Sequence, residues 1–264
     1  QWSISEPVLL GQGISSIFGP YLSGDGGSYL LACGTSLQAG TVYWTNPNDP
    51  CSTSLRNQLE VTSPEEPLVA GCIYDGQAFV FSTKRMFRIF ATGSADLPFY
   101  AQEVANSKGV ISPNCLVVGQ VIYFVGSDGL YASTGGQPYA ISDKDMYPIF
   151  PHDSQAGTLT NDIYPMDYSS TLLLNRANLC YHNDFLYFDF ITTQSPSPTY
   201  RCLVFDLSRN SGGGEADIDE SGKWVSLDDH AQVVHLHYSE EGVPNPRLIA
   251  GTNNGYLFLF DSEV

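Results

Sequence analysis

Basic residues are scarce. Lys and Arg number 11 against 28 Asp and Glu, a net charge of −17 over 264 residues. A surface of that sign repels phosphate backbones and anionic headgroups, so neither nucleic acid nor a membrane is expected as a partner. Long apolar runs are missing as well: none exceeds about a dozen residues, where a membrane-spanning helix needs roughly 20. The familiar reaction signatures are absent too. There is no G-x-S-x-G elbow, no phosphate-binding P-loop and no H-E-x-x-H. No C-x-x-C spacing occurs, which argues against a structural zinc site. No charged-then-apolar leader precedes Gln1, as expected of a processed chain or a fragment.

Aromatic and turn-forming residues are plentiful. The chain has 16 Tyr and 14 Phe, which favour strands, and 25 Gly and 16 Pro, which make turns dense. One pattern recurs: a strand, a turn with Gly, Asn or Asp, then an apolar-aromatic strand. It is read at 70–90 (AGCIYDGQAFVFSTKRMFRIF), 114–131 (NCLVVGQVIYFVGSDGLY), 179–190 (LCYHNDFLYFDF) and 248–260 (LIAGTNNGYLFLF). Asp-Gly and Asn-Gly tolerate the positive φ of a two-residue hairpin turn. The strands after the turns run apolar, as strands covered on both faces do.

Two copies continue into a third strand. Ser82 and Gly126 would start the next turn, and Phe87 and Tyr131 would lie beyond it. From Cys72 to Cys115 is 43 residues. Four short strands repeating every 40–50 or so residues are the signature of propeller blades. Residues 29–46, 177–227 and 231–260 fit the same unit, giving five clear units, with an exposed Gly-rich and acidic excursion at 208–222. Residues 1–20 either form a partial sixth unit or pair with the C-terminal strand to close the ring. The expectation is all-β, a single β-propeller domain of five or six blades over 1–264; a β-sandwich is the alternative.

The six cysteines are Cys33, Cys51, Cys72, Cys115, Cys180 and Cys202. Cys72, Cys115 and Cys180 share one place in the repeat, and Cys33 lies near it. Equivalent positions in stacked sheets are about 10 Å apart, too far for a disulfide. They read as small buried hydrophobes, and Cys51, in the loop NPNDPCSTS, as the exposed thiol.

Three weak constellations carry polar chemistry. His235 and His237 share one face of a strand near Asp228, Asp229 and His230, but no third metal ligand is fixed by spacing. Asp217, Asp219 and Glu220 begin like a calcium loop without its remaining positions. Asp75 or Asp128 with Asp189 or Asp206 would supply the carboxylates of a glycosidase pair, although Asp75 and Asp128 occupy turn positions that Asp favours anyway. Each has a structural reading: histidines packed among aromatics, a solvated acidic loop, and turn residues. No residue is assigned a catalytic, cofactor-binding or metal-binding role, and no cofactor is expected.

Several phrases follow one another in order: VYWTNPNDP (42–50), EPLVAGCIYDGQAFVFSTKRMFRI (66–89), VISPNCLVVGQVIYFVGSDGLYAS (110–133) and YAISDKDMYPIF (139–150). Together they resemble propeller-like proteins of tailed phages and prophage-like elements that sit at tail or head–tail positions. The resemblance covers about residues 40–150 and, more weakly, the last unit; it is one of fold, with no catalytic residue to transfer. It implies a structural or interaction module of a larger assembly, partnered by other protein subunits and located in a virion or outside the cell. A secreted carbohydrate-binding or glycoside-hydrolysing propeller is the other functional class the fold admits.

Overall fold

The computed structural model describes residues 13–24, 26–94, 97–142, 149–150, 166, 176–192, 200–207, 224–227, 233–238, 247–252 and 256–260. Among them there is no α-helix, and every named strand belongs to an antiparallel sheet of consecutive strands. The first sheet comprises β1 (Ser16–Leu22), β2 (Ser28–Cys33), β3 (Thr41–Asn46) and β4 (Asp49–Glu60). The second has β5 (Leu68–Tyr74), β6 (Gln77–Ser82), β7 (Met86–Ala91) and β8 (Phe99–Glu103). A 3-10 turn, Pro113–Cys115, leads into the third: β9 (Leu116–Val118), β10 (Ile122–Val125), β11 (Leu130–Ser133) and β12 (Tyr139–Ala140). The fourth holds β13 (Asn178–His182), β14 (Phe185–Ile191), β15 (Tyr200–Asp206) and β16 (Trp224–Leu227). The fifth holds β17 (Val233–Tyr238), β18 (Arg247–Thr252) and β19 (Leu257–Phe260).

Each sheet is a simple up-and-down meander in chain order. A sandwich would exchange strands between sheets; here no strand does. The fold class is therefore all-β of the propeller type, with five blade-like sheets among the described residues. The chain forms two compact units, Gln1–Ala140 with the first three sheets and Ile141–Val264 with the last two.

The turns are those the residues call for. β5 and β6 are joined by Asp75–Gly76, both left-handed (φ 48° and 68°), and β13 and β14 by Asn183–Asp184 (φ 48° and 63°). Two consecutive positive φ values are the primed turn whose twist matches antiparallel strands. The Ser82 and Gly126 turns are equivalent. Each amide donates to the carbonyl three residues on, Ser82 to Arg85 and Gly126 to Gly129, at 2.8 Å in both.

Two assignments differ from the sequence reading. The hairpin of 248–260 joins the second and third strands of its sheet, as does that of 29–46, whereas Asp75–Gly76 and Asn183–Asp184 join the first and second. Residues 253–255 themselves lie outside the described residues. Residues 16–20 belong to β1, the first strand of the first sheet, paired with β2, and residues 1–12 lie outside the described residues. The physical reason is common to both: an apolar hairpin marks an antiparallel pair but not the rank of its strands within a sheet. Cys33 accordingly stands on a second strand, while Cys72 and Cys180 stand on first strands and Cys115 immediately precedes one.

Packing follows strand alternation. Ala78 and Val80 of β6 join Leu31, Val42, Trp44, Phe87 and Phe99 in a core between the first two sheets. The alternate residues of β6 meet the third sheet: Phe81 lies 5.0 Å from Phe124, ring to ring. β6 is thus covered on both faces, and each fully buried Phe is worth about 1.5–3 kcal/mol over exposure. Close approach of β1 and β5 depends on Gly71, where a Cβ would sit 2.2 Å from the Phe18 ring.

Candidate functional site

In a meander, successive connections alternate between the two ends of the sheet. In the second sheet, the Asp75–Gly76 turn and the β7–β8 loop share one end, and the Ser82–Arg85 turn lies at the other. The ends differ in chemistry.

At the Arg85 end, three charges are locked together. The Arg85 guanidinium binds Glu66 through Nη2 at 2.5 Å and Nε at 3.0 Å, and Glu103 through Nη1 at 2.8 Å. The Ser82 hydroxyl also donates to Glu66. The Arg85 guanidinium above all, with help from Ser82, holds the Glu66 carboxyl below the usual carboxylate range against the opposing effect of burial. The same contact to Glu66 pushes Arg85 up. Asp128, on the β10–β11 turn, binds the Lys108 ammonium at 2.6 Å and accepts from the Tyr131 hydroxyl at 2.8 Å. Burial raises its carboxyl, and these two partners outweigh that, so its pKa lies below the ordinary value. These charges fasten turns and strand ends to one another.

The other end carries an open cleft of about 280 Å³ between the first two sheets. The β1–β2 loop and the β7–β8 loop form its walls, with Ser23, Thr92, Ser94 and Pro98, and Tyr29 and Phe99 lie at its base. The loops are tied by their own backbones: Ser23 N donates to Gly27 O at 2.9 Å and Thr92 N to Pro98 O at 2.9 Å. The Thr92 hydroxyl is spent on Leu97 O. Gly27 lies over the Tyr29 ring, where a Cβ would come within 2.7 Å. Among the described residues the lining carries no charged side chain. Leu22 and Leu97, each next in sequence to a lining residue, are 68% and 55% exposed. The described lining offers hydroxyl groups and apolar side chains, with no carboxylate, imidazole, amine or thiol. It suits a neutral or apolar side chain.

Of the carboxylates singled out from sequence, Asp75 and Asp128 lie in the first unit and Asp189 and Asp206 in the second. Asp75 sits in its tight turn with φ 48°, and Asp128 is engaged on a turn between second and third strands. Asp189 is buried on β14, opposite Asn178 and Cys202, and Asn178 Nδ2 reaches its carboxylate at 3.5 Å. Asp206 stands opposite Phe185, four residues along β14 from Asp189. Four strand residues are about 13 Å, longer than the 5–10 Å or so that a glycosidase pair requires. His235 and His237 lie on β17, in register with Ala250 and Leu248. Asp228, Asp229 and His230, and the calcium-like Asp217, Asp219 and Glu220, fall outside the described residues.

None of the six cysteines forms a disulfide; Cys51 is exposed and the other five are buried. Burial pushes the Cys33 and Cys72 thiols up to about 12. Cys202 is raised by burial and then by the neighbouring Asp189. The Glu66–Arg85–Glu103 network and the leucine-flanked cleft were not foreseen from sequence. Their members are dozens of residues apart, and no spacing rule joins them.

No family model matches the chain, and no curated protein matches it. Solved structures similar to it include BBS1N in complex with ARL6DN, 13% identical over 89% of this chain and 62% of that one, with a TM-score of 0.45. The dihydro-heme d1 dehydrogenase NirN in complex with DHE is 10% identical over 93% of this chain and 44% of that one, with a TM-score of 0.48. Apo AztD from Citrobacter koseri is 11% identical over 95% of this chain and 70% of that one, with a TM-score of 0.38. The chain therefore spans less than two thirds of the first two.

Proposed function

We propose that the chain is a non-enzymatic structural or interaction module of a larger protein assembly, of the kind that tailed phages place at tail or head–tail positions. The cleft between the first two sheets carries this reading. It is open, lined among the described residues by uncharged side chains, held by its own loop hydrogen bonds and flanked by exposed Leu22 and Leu97. Such a recess receives an apolar side chain from a neighbouring subunit. Exposed leucines flanking it contribute contact area that water disfavours. The charges at the opposite end of the second sheet are already spent on one another, as a scaffold uses them. A net charge of −17 keeps isolated subunits apart and favours basic partner patches, with association that weakens as salt rises.

The test is the size of the native particle, by light scattering and cross-linking on material from its own source, with Leu22→Ser/Leu97→Ser as the variant. The reading expects a multi-subunit particle that loses subunits in the variant while the circular dichroism spectrum stays unchanged. A monomer that hydrolyses a glycoside, ester or phosphoester, with loss of activity in His235→Ala, sinks it.

A further inference from the structure

Arg88 is a half-buried cation of the first unit. It lies on β7 with its guanidinium over the Phe90 ring, 4.4 Å from the centroid. Phe90 in turn stacks on Tyr100 of β8, with centroids 4.9 Å apart and an interplanar angle of 13°. Register places Arg88 opposite Gln102 and Phe90 opposite Tyr100, so the four residues form one patch on one face at the outer edge of the second sheet. Arg88 and Phe90 are half-buried, Gln102 is exposed and Tyr100 is 43% exposed. Unlike Arg85 and Lys108, Arg88 has no acid partner among the described residues. Its Nε is buried without a hydrogen-bond partner, and among the described residues no ion pair involves its other nitrogens.

A half-buried cation in a chain of net charge −17, with no carboxylate drawn to it, is the anomaly. The aromatic stack, in place of an acid, supports the guanidinium. A guanidinium resting over a ring with no acid partner keeps its terminal N–H groups for a planar, bidentate acceptor. Arg and Tyr on one small patch are also the residue types that dominate interface energetics. Charge complementarity sets the occupant: the only charge in the patch is positive and unpaired.

We propose that Arg88, Phe90, Tyr100 and Gln102 form a docking patch for an extended segment of a partner protein. That segment lays one carboxylate against the Arg88 guanidinium and an apolar side chain over Tyr100. The surrounding negative field requires the rest of the segment to be neutral or basic, so a single acid in an otherwise uncharged stretch is the recognised feature. This rests on the reading of the chain as an interaction module and adds where and by what chemistry it engages a partner.

The test uses the full chain labelled with ¹⁵N and three probes: the blocked tripeptides acetyl-Phe-Glu-Phe-amide and acetyl-Phe-Gln-Phe-amide, and inorganic phosphate. The Glu peptide should shift the Arg88 Nε–Hε resonance and the backbone amides of Phe90, Tyr100 and Gln102 at millimolar concentration. Binding should weaken at least tenfold for the Gln peptide and for Arg88→Gln, and less for Arg88→Lys, which keeps the charge but loses the fork. Tyr100→Ala, a change at an exposed ring, should weaken binding without altering the remaining amide spectrum. Equal binding of the two peptides, phosphate binding as tight as the Glu peptide, or no shift at all overturns the proposal. Failure here with the multi-subunit particle intact sinks this patch alone. A monomeric native chain sinks the module reading whatever the peptides do.

Discussion

Phe99 is the residue at which the first two sheets are most exposed to a clean perturbation. It is 1% exposed and touches three aromatic rings, Tyr21 at 5.7 Å, Tyr29 at 5.1 Å and Trp44 at 5.0 Å. Tyr29 and Trp44 meet it edge-on, at 86° and 83°, the arrangement in which a positive ring edge faces a negative ring face. Phe99→Leu keeps most of the volume and removes all three pairs. At about 0.5–1 kcal/mol per pair the cost is about 2 kcal/mol. Phe99→Ala adds a cavity that the flanking strands cannot close, for about 4–5 kcal/mol, a third or more of the stability of a typical domain. The adjacent Tyr100, on the other face of β8 and 43% exposed, is the internal control: Tyr100→Ala should cost no more than about 1 kcal/mol. Urea unfolding followed by tryptophan emission reads the series, since Trp44 loses its ring contact when the interface opens. The slope of free energy on urea should stay constant while the midpoint moves. A Phe99→Leu cost below about 0.5 kcal/mol would refute the packing argument.

Alkylation of the native protein should label Cys51 alone, and labelling of Cys33, Cys72, Cys115, Cys180 and Cys202 should require denaturant; mass spectrometry that finds a disulfide between any two of the five contradicts the structure. Glu66 has a folded-state pKa below its unfolded value, so its contribution is present above the ordinary carboxylate range and is lost as pH falls through the lower, folded value. The stability gap between the native chain and Glu66→Gln should therefore shrink as pH drops below about 4, and a gap that widens toward acid overturns the assignment. Gly71→Ala should destabilise the first unit, because its Cβ would meet the buried Phe18 ring at 2.2 Å; an unchanged urea midpoint shows that β1 and β5 are not packed as described.

Much of the fold was legible because burial and turn chemistry act locally. The left-handed pairs Asp75–Gly76 and Asn183–Asp184 stand where the residues put them, and β6, β10 and β11 are apolar runs buried on both faces. The exception is instructive. The stretches 29–46 and 248–260 read as the opening hairpin of a unit, yet each joins second and third strands. Rank in a sheet depends on which strand comes first, and β1 and β17 carry weaker signals than the hairpins that follow. β1 breaks its register at Phe18–Tyr21, so its alternation is interrupted where the reading needed it.

The polar side of the molecule was less legible, for a reason the second unit makes plain. Asn178, Asp189 and Cys202 lie side by side across three strands, all buried, although 24 residues separate the first from the last in sequence. Cross-strand neighbours of this kind are set by register, which sequence fixes only after every turn and bulge is known. The same holds for Glu66, Arg85 and Glu103, and for Arg88 with Tyr100. A motif search looks for chemistry at fixed spacing along the chain, while a meander brings its polar residues together across it. In such a fold the informative question about a charged residue is whether its partner is already present. Asp128 and Glu66 have theirs and serve the scaffold. Arg88 has an aromatic platform and, among the described residues, no acid, which is why the proposed docking patch is centred on it.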